Sequence, residues 1–106
     1  MQDFIDLQGA SGATYRFRLW PPEALHPPMG GNYVCVRAEA NGYSVLTVGE
    51  ALDLSRVRDQ LPKRIRDATT HIYTRLNVAR ATRAAEHEDL TARHVSGKSK
   101  AKASAA

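Results

Sequence analysis

Apolar and polar residues alternate with the two-residue period of half-buried strands in five stretches of the chain. Phe4-Ile-Asp-Leu7 and Thr14-Tyr-Arg-Phe-Arg-Leu-Trp20 flank a turn at Gly9-Ala-Ser-Gly12. In the second of these strands Tyr15, Phe17 and Leu19 share one face, while Thr14, Arg16, Arg18 and Trp20 share the other. Tyr33-Val-Cys-Val-Arg37 and Tyr43-Ser-Val-Leu-Thr-Val48 follow as two runs of β-formers. The Asn41-Gly42 pair between them is a hairpin signal, because both residues tolerate positive φ. Thr69 to Asn77 is the fifth, with Ile72, Thr74 and Leu76 opposed to Tyr73 and Arg75.

The spacing changes to the helical one after Asp53, a natural N-cap: Leu54, Val57, Leu61 and Ile65 form one stripe. Pro62 divides it, so a helix is expected near 54–61 and a second, short turn starting at Pro62, where proline suits a first-turn position. Val78 to Val95 is rich in alanine and free of Gly and Pro, which predicts a closing helix stopped by Ser96-Gly97. On a helical wheel Ala81, Ala84, Ala85, Glu88, Ala92 and Val95 fall on one face, the one expected to meet the sheet. Trp20 to Gly31, with four prolines, reads as a loop. Lys98 to Ala106 has no apolar periodicity and is expected to be a disordered basic tail. The predicted class is α+β: a small, mainly antiparallel sheet flanked by helices, one domain over 1–95 with a tail over 96–106.

Composition adds an asymmetry to this picture. The 106 residues carry a net charge of +4, but residues 1–53 hold three arginines against six carboxylates, net −3, and residues 54–106 hold twelve Lys/Arg against five, net +7. The basic half suits a phosphate backbone, with Arg56, Lys63, Arg64 and Arg66 on the exposed side of the split helix. Arg16 and Arg18 beside Trp20 form a second candidate strip for a nucleic-acid strand. A lone Cys35 excludes an internal disulfide and, within a strand, reads as a buried inert thiol. No apolar run reaches a membrane-spanning length and the acidic start differs from a secretory leader, so a cytoplasmic location without membrane partners is expected. His71, His87 and His94 lack the spacing of a tetrahedral zinc site.

The hairpin, the helix after it and the closing helix together resemble the GIY-YIG domain over residues 29–95. Gly31-Asn32-Tyr33 stands at the first triplet, Thr47-Val48-Gly49 at the second, Glu50-Ala-Leu-Asp-Leu54 at the turn into the first helix, and Glu86-His-Glu-Asp-Leu90 on the late helix. The resemblance implies metal-dependent hydrolysis of a nucleic-acid phosphodiester, with Mg²⁺ or Mn²⁺ as the cation. Tyr33 would then lie near the nucleophile, an arginine would stabilise the phosphate and a glutamate would hold the metal.

Residue by residue, Tyr33 matches the first triplet, whereas Thr47 replaces the second tyrosine and keeps only a hydroxyl. The family's arginine position falls on Val57. Of its neighbours, Arg58 borders the apolar stripe and Arg56 points to solvent. Glu86 is the metal ligand by motif and Glu88 by wheel geometry. Two readings follow: a divergent GIY-YIG-like domain that binds nucleic acid, DNA foremost, with reduced or lost nuclease activity, or an active divalent-metal-dependent DNA endonuclease. A protein-interaction module is the third. Targeting would then fall to the tail, a protein partner or self-association.

Overall fold

Five strands and three helices appear in the predicted order in the computed structural model, which describes residues 1–94. Val95 and the expected tail at 96–106 lie outside the described residues. The strands are β1 (Phe4–Gln8), β2 (Thr14–Trp20), β3 (Gly31–Glu39), β4 (Gly42–Ala51) and β5 (His71–Leu76). A 3₁₀ turn, Leu54–Arg56, leads into α1 (Val57–Gln60), then come α2 (Lys63–Ala68) and α3 (Arg80–His94). Asp53 caps the 3₁₀ turn by accepting a bond from the Ser55 amide, and Pro62 separates α1 from α2 as its missing N–H requires. The class is α+β.

All pairings are antiparallel and the spatial order is β1-β2-β5-β3-β4, so β5 is inserted between the two hairpins. In the central hairpin Glu39 pairs with Gly42, whose φ of 145° is a conformation that favours glycine. The register then shifts between Cys35 and Val36, leaving Leu46 as the extra residue of a bulge that twists β4.

Alternation along the strands builds two cores on opposite sheet faces. Ile5, Leu7, Phe17, Val34, Val36, Val48 and Tyr73 fill one face together with Leu90 of α3. The sheet curls around this core until Ile5 of β1 and Tyr43 of β4 line one shared hollow. Trp20, Cys35, Leu54, Val57, Leu61 and Ile72 make the second core beneath α1 and α2, with Tyr33 and Ile65 packed against it. Among the described residues no helix is long and apolar enough to cross a membrane.

The orientation of α3 departs from expectation. Ala81, Ala84, Ala85, Glu88 and Ala92 are exposed, and Arg83 and Leu90 are the buried members. The reason lies in the sheet end that α3 covers, which presents polar backbone in need of partners. Arg83, only 4 % exposed, donates to the Asn77 and Val78 carbonyls and pairs with Glu50 at 3.3 Å. Asn32 donates to the Arg83 carbonyl, and the Ala10 amide donates to the Asp89 carbonyl. Alanine methyls offer little transfer free energy, so satisfying these groups decides which face turns inward.

Candidate functional site

Tyr33 follows from the strand period: its neighbour Asn32 reaches α3, so Tyr33 points to the opposite face, toward α1. Its register partner is Gly49, and a Cβ there would lie 2.1 Å from the ring. Glycine is therefore required for the aromatic ring to lie across β4. Thr47 pairs with Cys35 and so shares the Tyr33 face, half-buried. Burial raises the Tyr33 phenol above its ordinary range, with Cys35 adding to the shift. That direction disfavours a phenolate at neutral pH.

Arg58 is also on this side, but its guanidinium is engaged. It stacks over Trp20 at 3.8 Å and donates to the Pro22, Trp20 and Pro21 carbonyls at 2.8, 3.1 and 3.1 Å. Three carbonyls and a ring face hold one cation, and desolvation lowers its pKa from the usual value. Arg58 therefore fastens the start of the Pro-rich loop. Trp20 Nε1–H donates to the Ala24 carbonyl, and His26 Nε2 bonds Thr74 Oγ1 at 2.8 Å, which closes the loop over β2 and β5.

The two glutamates lie across the sheet from Tyr33. Glu86 accepts from Arg75 Nε at 2.8 Å on the α3 side, and Glu88 projects from the exposed alanine face. Tyr33, Thr47 and Arg58 are thus on one face, and Glu86 and Glu88 on or beyond the other. Glu86 already has a guanidinium on its carboxylate, and Glu50, which lines one hollow with Glu88, is paired with Arg83. This donor set does not fit a divalent cation acting beside Tyr33. Among the described residues no group of three or more His, Cys, Asp and Glu side chains could hold a metal ion.

The predicted basic residues fare differently. Arg56, Lys63, Arg64 and Arg66 are all exposed on the segment that covers the second core. Lys63 pairs with Asp67 within α2, whereas Arg56, Arg64 and Arg66 make no ion pair among the described residues. Next to them is a hollow of about 220 Å³ whose lining includes Arg66, Thr69, Thr70 and His71. The hydroxyls there are internally committed: Thr69 donates to the Ile65 carbonyl, and Thr70 accepts from the Ala38 amide.

The candidate strip on β2 is altered. Trp20 is 6 % exposed, with one ring face under Arg58 and an edge-on contact to His26, which leaves no platform for a base. Arg16 pairs with Asp6 and lies over Phe4, so Arg18 is the cation of the strip with no ion pair among the described residues. Sequence reasoning missed Arg83, Asn32 and Asp89, which join α3 to the sheet. Asp89 accepts from the Ser11 amide, the Ser11 hydroxyl and the Tyr15 hydroxyl at 2.8, 2.7 and 2.9 Å. No local pattern announces such a set, because its partners are 74 and 78 residues away.

Comparison of the chain with known protein families, with curated proteins and with solved structures returns no match.

Proposed function

We propose that this is a divergent GIY-YIG-like domain that binds the phosphate backbone of nucleic acid, DNA foremost, without hydrolysing it. The observation that carries the reading is the exposed group Arg56, Arg64 and Arg66, free of carboxylate partners among the described residues. Three cations with no internal counter-charge are available to replace condensed counterions along a duplex. The pairing of Tyr33 with Gly49 supports the resemblance, since it joins the two triplets in space. The separation of Tyr33 from Glu86 by the sheet favours binding over cutting.

The test is a fluorescence-anisotropy titration of a labelled duplex at several salt concentrations. Three phosphate contacts give a log–log salt slope of about −3, and Arg64→Ala with Arg66→Ala together bring it to about −1. A slope indifferent to these changes refutes the binding face. Incubation of plasmid with Mg²⁺ or Mn²⁺ separates the alternative: nicking lost in Tyr33→Phe or Glu86→Gln would establish the endonuclease instead.

A further inference from the structure

Beyond the basic helical face, the other side of the Pro-rich loop forms a groove of about 600 Å³, within the range of ligand pockets. Phe4, Arg18 and Thr74 lie abreast on its floor, because Arg18 pairs with Phe4 on one side and with Thr74 on the other. Leu25 and His26 line it from the loop, and Leu76 lines it from the end of β5.

Two properties of this groove are unusual. Three of its apolar members face water: Leu25 is 98 % exposed, Leu76 53 % and Phe4 45 %. A leucine held almost fully in solvent at the crest of a braced loop gains nothing for folding, and apolar side chains gathered in this way mark interaction sites. The loop is braced by proline, by the Trp20–Ala24 bond and by the His26–Thr74 bond, so Leu25 is presented rather than free to collapse.

The second property is charge. Among the described residues no carboxylate lines the groove, whereas three arginines do. Arg16 is answered by Asp6 and Arg75 by Glu86, so among the described residues Arg18 is the groove arginine without an ion pair, with Asp3 beyond ion-pair distance in the adjoining hollow.

We infer that this groove docks a short extended peptide segment of a protein partner, which places a carboxylate on Arg18 and bulky apolar side chains against Leu25, Phe4 and Leu76. The strand period fits, since residues i and i+2 of an extended segment are about 6.6 Å apart, as are successive side chains on the β2 floor. A nucleic-acid strand fits less well, because the most exposed lining side chains, Leu25 and Leu76, are aliphatic, and Trp20 is buried while one face of the Phe4 ring lies under Arg16.

The test uses the full chain as bait for a displayed library of random dodecapeptides, with Arg18→Glu and Leu25→Ser as counter-baits. Both positions are exposed, and matching thermal melts establish that the variants fold. The expected result is a consensus of Asp or Glu flanked by large apolar residues. Its synthetic peptide should bind the parent chain and lose about tenfold or more in affinity to each variant. Enrichment indifferent to both substitutions, a basic consensus or no enrichment overturns the assignment. So does a single-stranded oligonucleotide that shifts the NMR signals of Phe4, Leu25 and Leu76.

Discussion

Replacement of Arg58 by alanine distinguishes a phosphate ligand from a structural fastener. In the structure the guanidinium stacks over Trp20 and donates to three consecutive carbonyls of the segment Trp20 to Pro22. A partly desolvated cation–π contact contributes about 1 kcal/mol. Two of the three hydrogen bonds are solvent-exposed, so each is discounted to about 0.5 kcal/mol. The part-buried bond to the Trp20 carbonyl adds about 1 kcal/mol, and freedom regained by the side chain offsets roughly 0.5–1 kcal/mol, leaving about 2–2.5 kcal/mol. In a domain of this size such a loss lowers the melting temperature by about 10 °C. Lysine keeps the charge but lacks the planar fork, so Arg58→Lys should recover less than half of the difference. Calorimetry supplies the melting temperatures, and anisotropy with duplex DNA supplies the salt slope. Arg58→Ala should lose stability while leaving that slope unchanged. A melting temperature within about 2 °C of the parent, with a weakened slope, would refute the fastener and restore Arg58 as a phosphate contact.

Gly49→Ala drives a Cβ into the Tyr33 ring and should cost about 1–3 kcal/mol, read from urea unfolding; restoration in the double variant with Tyr33→Ala would show that the clash is local. Hydrogen bonds from Ser11 and Tyr15 lower the Asp89 pKa below 3.8. Folding therefore gains from the ionised form: the gain is complete above the unfolded value and is lost as pH falls through the folded one. Ser11→Ala should shift acid unfolding to higher pH, and an Asp89 titration at or above 3.8 in the parent chain would contradict the geometry. Burial pushes the Cys35 thiol up to about 11. The folded chain at pH 8 should be inert to a thiol-specific disulfide reagent and react fully once unfolded; rapid labelling of the native state would rule out a closed second core.

Much of the fold was legible in the sequence because the β2 and β5 alternations and the stripe Leu54, Val57, Leu61 are local signals that packing reinforces. Pro62 likewise marks a boundary by its own chemistry, and the helical segments stop and restart there. What failed was the choice between faces where no face was strongly apolar. The alanine stripe of α3 lost to Arg83 and Asp89, whose value arises only when distant carbonyls and hydroxyls are brought beside them. The candidate catalytic residues do not converge, and the sequence could not show it for a related reason. A helical wheel places Arg58 beside the stripe, but it cannot show that Trp20 and three loop carbonyls wait there. Nor can motif order show that one residue of offset along β3 sends Tyr33 and α3 to opposite sides of the sheet.

The clasp between α3 and the first turn bears on how the chain assembles. The β1–β2 hairpin joins the rest of the sheet through three residue pairs with β5, and Asp89 grips the turn from 78 residues away. Each of these attachments closes a long loop, so none forms cheaply before the others. During synthesis the β1–β2 hairpin emerges before β5 and α3, so both attachments wait until those elements have left the ribosome. The sheet is therefore complete only when the β1–β2 turn and α3 meet, and removal of the Asp89 grip should loosen that hairpin's attachment to the rest of the fold.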